Sequence, residues 1–322
     1  MNDMQKMTLK HTIKTQRFIN ENHDNCTSCG REYKEEDRTH LGYTAKRKLV
    51  YVGDCCSKKL VETIIRHSYQ PRFYKIPEND SVLWRFMDFT KFVSLISTRT
   101  LFFTRVDHFE DPFEGAKGLK KNKKKWDKHY LEFFKSAYRN PPSGTDFNKT
   151  DEEIKIESKR LLSDLNSIGA RQQKTTFINC WHENPIESEA MWKLYVSNLN
   201  EGIAIKTTYS KLYRALNKNP SISIGRVNYI DFNNKFTGIN DSFWFKRKSF
   251  EHEKEVRAII IDHKENNEFG KRIPVNLKIL IDRIYVSPIS LDWFRELVGD
   301  VIKKYELKKQ IMTSEMLATP FH

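Results

Sequence analysis

Four of the five cysteines in this chain lie within 31 residues, and this grouping constrains the fold more than any other feature of the sequence. Cys26 and Cys29 form a Cys-x2-Cys pair followed by Gly30, which suits a tight turn that presents two thiolates to one metal ion. Cys55 and Cys56 form the second pair. Five cysteines in 322 residues are too few for a disulfide framework. The grouping therefore predicts a zinc site with these four cysteines as ligands.

Two features of this zinc prediction stay open. Cys55 and Cys56 are adjacent, so both can bind one ion only if the chain turns sharply between them. A histidine could replace one of them, and the candidates are His23, His40 and His67. Buried free thiols are the alternative interpretation of the cluster.

The sequence around the cysteines predicts a small module at residues 20–75. The run Leu49–Val52 is β-prone, Gly42 marks a hairpin, and Lys59–His67 is predicted to be a helix. A knuckle, a hairpin and a helix whose start carries the second thiol pair would make a zinc-ribbon or treble-clef-like module. Residues 1–19 carry no strong pattern and are expected to form an N-terminal arm.

Residues 80–322 carry strand and helix patterns that predict one α+β domain. Strand patterns occur at residues 81–86, 100–104, 176–180, 202–206, 224–229, 255–261 and 283–287, and helix patterns occur at residues 188–196, 209–217 and 291–305. Residues 119–172 are expected to form charged helices inserted into this fold, with a break at 141–144. Strands outnumber the crossover helices, so the sequence favours a mixed, twisted sheet over a doubly wound parallel one.

The first part of this domain has the clearest helix signal. Phe89, Phe92, Val93 and Ile96 are spaced as on the buried face of a helix, and Asp88 is a suitable N-cap. The order predicted for residues 81–104 is therefore strand, helix, strand.

The net charge of +14 predicts a partner that carries negative charge, such as RNA, DNA, a nucleotide or an acidic protein surface. The Lys-rich residues 117–126 are either a nucleic-acid contact or a solvated face. No stretch approaches the roughly 18 to 20 apolar residues of a membrane helix, and the N-terminus lacks the apolar segment of a secretory signal. We therefore expect a cytoplasmic protein without a membrane partner.

From Leu83 onward the sequence resembles a bacterial domain-of-unknown-function family. Members of that family open with Leu-Tyr-His-Tyr-Thr and a helix, followed by a short apolar strand, Asn-Asp-Pro-Phe-Glu, Ser-Cys-Phe, Trp-Arg-x-Tyr and Glu-x-Glu-x-Arg. The corresponding segments here are Leu83–Met87, Leu101–Thr104, Glu110–Glu114, Ile178–Trp181, Met191–Tyr195 and Glu253–Arg257.

The opening of that family is itself similar to ADP-ribosyltransferase-like domains, which use NAD. This resemblance implies that Arg85 holds the ribose and phosphates of NAD, that Glu255 is the catalytic glutamate, and that Glu253 assists the incoming nucleophile. Cleavage of the nicotinamide–ribose bond passes through an oxocarbenium-like state, which a nearby carboxylate stabilises. Period-two spacing would put Glu253 and Glu255 on one face of a strand. A solvated edge strand is the alternative interpretation of this segment.

Other positions depart from the transferase pattern. Enzymes of the Arg type have Ser-Thr-Ser on a central strand, where this chain offers only threonines such as Thr176. Aromatic stacking on nicotinamide could come from Trp192 or Tyr195, although their helical spacing is also typical of core residues. The basic residues directly before the Glu-x-Glu pair are Lys246, Arg247 and Lys248. This basic cluster is expected to meet a pyrophosphate or a nucleic acid, or else to be a solvated face.

The leading functional prediction is NAD-dependent ADP-ribosyl transfer or NAD cleavage, as in a toxin or antiphage defence effector. The alternatives are a non-enzymatic zinc-containing protein that binds RNA or DNA, and a nucleotide sensor that binds without reacting. The sequence contains no phosphate loop or nucleophile elbow that would support a kinase or hydrolase. His182, past a strand end, and the loop Glu110–Glu114 are further candidates for the cleft. Convergence of Arg85 and Glu255 on one cleft would favour the transferase.

Overall fold

The computed structural model describes residues 25–33, 37–68, 74–140, 149–219, 221–238, 241–262, 268–318 and 320–321, with the backbone alone at 64–68. The arm predicted at 1–19, the break predicted at 141–144 and the candidate ligand His23 lie outside these residues. Contacts divide the chain into two compact units. They are Met1–Lys75 with Asn217–Ser223, and Ile76–Leu216 with Ile224–His322.

The first unit contains a three-stranded antiparallel sheet in the order β2-β1-β3. Its strands are β1 (Arg38–Thr44), β2 (Leu49–Gly53) and β3 (Leu60–Ser68). Leu41 of β1 pairs with Tyr51 of β2, and both side chains are buried in a small core that also contains Cys26 and Cys56. A short 3-10 helix, Asp54–Lys59, connects β2 to β3.

Strand β3 shows that the helix predicted at Lys59–His67 is wrong. The segment contains Val61, Thr63, Ile64 and Ile65, and β-branched residues lose side-chain freedom in a helix but fit a pleated sheet. Pairing with β1 supplies the backbone hydrogen bonds, and a distant partner of this kind is not visible in local periodicity. The module therefore differs from the predicted treble-clef order, because a strand follows the second thiol pair.

The second unit combines a mixed sheet with helices, which confirms the mixed sheet-and-helix class predicted from the sequence. Within the described residues, the main sheet has nine strands, which are β4 (Val82–Asp88), β5 (Thr100–Arg105), β6 (Thr176–Glu183), β7 (Gly202–Thr208), β8 (Ile222–Arg226), β11 (Glu255–Ile261), β12 (Gly270–Pro274), β13 (Arg283–Val286) and β14 (Ile311–Met312). Their order is β12-β5-β6-β4-β7-β13-β14, and β11 pairs with both β6 and β8. Strands β9 (Asn228–Ile230) and β10 (Phe245–Arg247) form a separate parallel pair.

Seven α-helices accompany the strands in the described part of the chain. They are α1 (Phe89–Thr98), α2 (Lys123–Arg139), α3 (Asp151–Thr175), α4 (Glu189–Tyr195), α5 (Tyr209–Ala215), α6 (Leu277–Leu280) and α7 (Asp292–Lys304). Helices α2 and α3 fall where charged helices were predicted. None of the described helices is long and apolar enough to cross a membrane.

The β4-α1-β5 segment forms the strand–helix–strand unit predicted for residues 81–104. Phe92 and Ile96 of the predicted stripe are buried on the inner face of α1 together with Leu95, and Phe89 and Val93 are half-buried. Asp88 occupies the N-cap position, but its carboxylate accepts a hydrogen bond from the backbone N–H of Ser197, at 2.7 Å, instead of capping the helix. The carboxylate therefore links the start of α1 to the segment after α4.

Strand β6 is central to the second unit because its two edges are used differently. One edge pairs with β11 from Thr176 to His182. On the other edge, Ile178 pairs with β5 and His182 pairs with β4. Among the described residues, no strand pairs with the intervening Asn179–Trp181 on that edge. Strands β4 and β5 diverge at this point, so a cleft opens in the sheet with β6 at its base.

Candidate functional site

The cleft between β4 and β5 holds a cavity of about 440 Å³. This volume is within the roughly 300–1,000 Å³ typical of small-molecule sites. Arg85 of β4, Glu253 and Glu255 all line the cavity, although about half of the chain separates the arginine from the two glutamates. His182 and Tyr195 also line it. The structure therefore brings the candidate basic and acidic residues to one cavity.

Arg85 is partly buried at the point where the two strands diverge. Its Nη1 donates a hydrogen bond to the backbone carbonyl of Cys180, at 2.6 Å, and its guanidinium lies 5.8 Å from the centre of the Trp181 ring. No carboxylate within the described ranges forms an ion pair with Arg85. Burial lowers the pKa of Arg85, but a guanidinium keeps its charge in proteins. Arg85 thus gives the cavity wall a positive charge, and its remaining N–H donors can bind a ligand.

The charges of the cavity wall are divided between different elements. The cations are Lys91 on α1, Arg85 on β4 and Arg272 on β12. The carboxylates come from Glu253, just before β11, and Glu255, at its start. The aromatic residues of the lining are Trp84, Phe86, Phe102, Phe109, Trp181 and Tyr195. Such a lining suits a ligand with planar rings, a negatively charged group and a positively charged or polar group.

Arg257, two residues beyond Glu255, is fully buried and organises the acidic side of the cavity. Its Nη1 and Nη2 each lie 2.7 Å from an oxygen of Glu114, and its Nε lies 2.7 Å from Oε1 of Glu255. Further bonds reach the backbone carbonyl of Phe243 and Oε2 of Glu255. All five N–H donors of the guanidinium therefore have acceptors. Attraction to Glu114 and Glu255 outweighs the effect of burial and raises the pKa of Arg257.

Lys246 is the second buried cation of this group. Its Nζ lies 2.6 Å from Oε2 of Glu253, 3.3 Å from Oε2 of Glu255 and 3.8 Å from Oε1 of Glu114. It therefore contacts all three carboxylates. We call Glu114, Lys246, Glu253, Glu255 and Arg257 the buried charge network.

The two glutamates of the network have different environments. Both oxygens of Glu255 contact cations, and although burial opposes ionisation, Arg257 and Lys246 lower the pKa of Glu255 to about 2. Burial raises the pKa of Glu253, and Lys246 only partly offsets this effect. Oε1 of Glu253 has no hydrogen-bond partner among the described residues. Glu253 is therefore the carboxyl group that is available to a ligand, whereas Glu255 is held by the protein.

His182 adds a buried ring nitrogen to the same cavity. Its Nδ1 lies 2.6 Å from the backbone carbonyl of Glu253, and its buried Nε2 has no partner within the described part of the chain. Burial lowers the pKa of His182, which favours the neutral imidazole. The sequence had placed His182 near the cleft, and the structure puts it in the cavity lining.

Several residues predicted to bind the cofactor lie outside the lining of this cavity, and their role in binding stays a prediction. Thr176 is fully buried at the start of β6, away from the lining. Trp192 is a core residue whose Nε1 donates to Glu187, at 2.6 Å. Arg247 pairs with Asp111, at 2.8 Å, and Lys248 is exposed outside the lining. Lys246 contacts the three carboxylates of the buried charge network and does not line the cavity. Tyr195 does line the cavity.

The sequence did not identify Glu114 as the partner of Arg257. Glu114 ends the loop Glu110–Glu114, which the sequence indicated as a candidate for the cleft. Both residues fall in segments on which the sequence resemblance rests, and this is a signal that could have linked them. The side chain of Glu114 is buried and pairs with Arg257. Arg257 in turn pairs with Glu255, which lines the cavity.

The first unit holds the second candidate site, which consists of the four clustered cysteines. The sulfurs of Cys26, Cys29, Cys55 and Cys56 all lie within 4.8 Å of one another. Four thiolates around one zinc ion at 2.3 Å would lie about 3.8 Å apart, which is compatible with this spacing. The 3-10 helix at Asp54–Lys59 supplies the sharp turn that two adjacent ligands require.

The surroundings of the cysteines favour a thiolate at Cys26, whereas burial raises the pKa of Cys55 to about 11. Although burial opposes ionisation, backbone N–H groups of Gly53, Ser28 and Cys29 lower the pKa of Cys26 to about 6. His40 is not part of the group of clustered ligand atoms, and its Nε2 lies 2.7 Å from Oδ1 of Asp54. The side chain of His67 lies outside the described atoms.

Comparison with known proteins gives little further information. No family model matches the chain, and no curated protein matches it. Among solved structures, the chain is similar to the DarT protein of Thermus sp. 2.9 in complex with NAD⁺, with 8% sequence identity and a TM-score of 0.34. The similarity covers 76% of this chain and 100% of that chain. A TM-score of this size establishes neither a shared fold nor a shared activity.

Replacement of Arg257 by Met should destabilise the second unit, because Glu114 and Glu255 would remain buried without their main cation. Removal of one partner from a buried ion pair typically costs about 3–5 kcal/mol. Urea unfolding would measure the change in the free energy of unfolding. Arg160→Met, which breaks an exposed ion pair on α3, is the matched control and should change it by less than about 1 kcal/mol. Equal effects of the two substitutions would contradict a supporting role for the network.

Proposed function

We propose that the cavity between β4 and β5 binds NAD and that the protein transfers ADP-ribose from NAD or cleaves NAD. The observation that carries this proposal is the convergence of Arg85 and the Glu253–Glu255 pair on one cavity. Among the described residues, no hydrogen bond or ion pair joins Arg85 to these glutamates, and a shared ligand would give their placement on one cavity a function. A role as a toxin or antiphage effector is part of the same proposal.

The charges of the cavity lining suit both the pyrophosphate of NAD and the ribose that carries nicotinamide. The cations on α1, β4 and β12 can bind the pyrophosphate, and the carboxylates near β11 can stabilise the positive charge that develops on ribose as nicotinamide leaves. The aromatic residues provide planar surfaces for nicotinamide or adenine. A preorganised carboxylate in a site shielded from water is effective because the local dielectric is low.

We assign the two glutamates roles that differ from those implied by the sequence resemblance. Glu253 keeps an oxygen without a protein partner, so we propose that it contacts the reacting ribose or the incoming nucleophile. Glu255 has both oxygens on Arg257 and Lys246, so we propose that it positions these cations and the start of β11. Arg85 binds the phosphates or ribose in this proposal.

Glu253→Gln should lower the rate of nicotinamide release from NAD by roughly 10²-fold or more while the protein stays folded, because the lost charge acts mainly in the transition state. Arg85→Ala should mainly weaken NAD binding. Chromatographic detection of nicotinamide and calorimetric titration with NAD would measure these effects. The matched control is Glu251→Gln, since Glu251 is exposed on the same segment and does not line the cavity.

Glu255→Gln separates the two assigned roles. It should lower the midpoint of thermal unfolding as well as turnover, because both oxygens of Glu255 accept hydrogen bonds from Arg257 or Lys246 and the amide nitrogen of Gln cannot accept them. Wild-type protein that neither binds NAD nor releases nicotinamide would contradict the enzymatic proposal. Full activity of Glu253→Gln would contradict the role of Glu253.

We also propose that Cys26, Cys29, Cys55 and Cys56 bind one structural zinc ion. Support comes from four sulfurs within 4.8 Å of one another and from the short 3-10 helix that carries the second pair. All four ligands would be protein thiolates, so no position remains for a catalytic water. The proposed role of the ion is to hold the small core of the first unit together.

The purified protein should contain one zinc per chain, as measured by elemental analysis of samples prepared without chelator. A chelator should unfold the first unit before the second, because zinc binding supplies much of the folding energy of small modules. Cys29→Ser should lower the zinc content, whereas Cys180→Ser, outside the cluster, should leave it unchanged. Metal-free protein with an intact first unit would rule out this proposal.

Nucleic-acid binding remains a second candidate function because five lysines near the start of α2 are exposed. They are Lys120, Lys121, Lys123, Lys124 and Lys125. Together with the net charge of +14, they offer a surface for phosphates. Replacement of all five by Gln should weaken RNA or DNA binding measured by fluorescence anisotropy, and the salt dependence should become shallower. Absence of binding by the wild type at low salt would remove this candidate.

A further inference from the structure

The four clustered cysteines of the first unit differ in their access to solvent. Cys26 and Cys56 are buried, at 1% and 4% exposure, whereas Cys29 and Cys55 are exposed. Each pair in the sequence therefore contributes one buried and one exposed thiol to the cluster. A reagent in solution reaches the exposed thiols first, and exposure is one of the conditions for a reactive cysteine.

The two exposed sulfurs lie next to each other. Sγ of Cys29 is 3.5 Å from Sγ of Cys55, although 26 positions separate the two residues in the chain. Cys29 belongs to a turn in which the backbone N–H of Gly30 donates to the carbonyl of Cys26, at 2.8 Å. Cys55 belongs to the 3-10 helix Asp54–Lys59. Two separate backbone elements thus bring these sulfurs together at the surface.

The other two thiols are part of the core of the first unit. Cys26 and Cys56 pack in the same small cluster as Leu41 and Tyr51, which join β1 to β2. Either thiol would have to leave this cluster to meet a reagent in solution, at the cost of buried apolar surface. The exposed pair can react while these core contacts stay in place.

We propose that Cys29 and Cys55 form an oxidation site for a hydroperoxide such as hydrogen peroxide, and that the resulting disulfide expels the structural metal ion. Release of the ion rests on the zinc site of the proposed function, whereas the disulfide requires only the two adjacent sulfurs. The inference extends that proposal because it makes occupancy of the zinc site depend on oxidants.

The oxidation takes two steps. The thiolate of one cysteine attacks an oxygen of hydrogen peroxide, the O–O bond breaks, and the departing hydroxide takes a proton from solvent to become water. This step leaves a sulfenic acid. The second thiolate then attacks the sulfenic sulfur, an S–S bond forms as the S–O bond breaks, and the second hydroxide is protonated in the same way. The two sulfurs together lose two electrons, and the peroxide is reduced to two molecules of water.

The same reaction removes ligands from the metal site. A thiol that binds zinc is deprotonated, so the bound form supplies the thiolates that attack the peroxide. After the disulfide forms, Cys26 and Cys56 are the thiolates of the cluster that remain, and two ligands do not complete a four-coordinate structural site. The disulfide would still join the turn at Cys29 to the 3-10 helix, the two segments that the ion held together.

The disulfide would be sought in the full chain, purified under reducing conditions and then treated with hydrogen peroxide. Free thiols would be alkylated in denaturant at successive times, and mass spectrometry would identify the joined peptides. The first disulfide should join Cys29 to Cys55 and leave Cys26, Cys56 and Cys180 alkylated. A colorimetric chelator should detect one zinc ion released for each disulfide formed, and dithiothreitol should reverse the disulfide.

Variants separate the two steps of the oxidation. Cys55→Ser should remove this disulfide, and dimedone, which labels sulfenic acids, should then label Cys29. Cys180→Ser, outside the cluster, is the matched control and should give the same disulfide and zinc release as the wild type. If Cys55→Ser does not fold, the peptides joined in the wild type decide the question alone.

The outcomes distinguish failure of the oxidation site from failure of the zinc site. A first disulfide that contains Cys26 or Cys56, or a pair that stays reduced in excess peroxide, would overturn the oxidation site. Retention of zinc by protein that carries the disulfide would overturn expulsion of the ion. A disulfide between Cys29 and Cys55 in protein that binds no zinc would keep the oxidation site and reject the zinc site. Zinc-bound protein whose four thiols all resist peroxide would keep the zinc site and reject the oxidation site.

Discussion

The ionic clamp between Glu114 and Arg257 is the interaction on which the candidate site depends. Arg257 is fully buried in β11, where its guanidinium could not be tolerated without complete hydrogen bonding. Glu114 satisfies two of its donors and thereby fixes the loop before α2 against the sheet. The remaining donors orient Glu255, and Lys246 joins the same group of carboxylates. The position of Glu253 at the cavity is thus set by a network whose members are distributed along the chain.

The sheet topology leaves an opening through which a ligand can reach this network. Strand β6 pairs with β5 near its start and with β4 near its end, and the two strands separate between these points. The gap gives a ligand access to the middle of the sheet, where side chains of β4, β6 and β11 meet. In a continuous sheet, a neighbouring strand would occupy this space and form backbone hydrogen bonds with residues 179–181 of β6. Helix α1 joins the two strands, and its Lys91 lines the cavity between them.

Local sequence patterns predicted the elements better than the contacts between them. The strand at 255–261 was predicted with its observed bounds because a continuous run of buried residues is a strong strand signal. Helix α1 was predicted from its buried face for a similar reason. Strand β3 was not predicted, since its pairing with β1 outweighs local periodicity. The clamp between Glu114 and Arg257 spans 143 positions, and a single sequence does not show which of many charged residues will meet over such a distance.

Arg85 takes the place of a missing strand partner for the carbonyl of Cys180. Its guanidinium has five N–H donors, so it can keep this bond and still bind a ligand from another edge of the plane. A lysine has its three donors on one nitrogen, so it could serve both the carbonyl and an anion only if the anion lay close to the carbonyl. The bond to the sheet therefore favours arginine at this position. Retention of the arginine in a related chain would for that reason not distinguish an active enzyme from one that has lost its substrate.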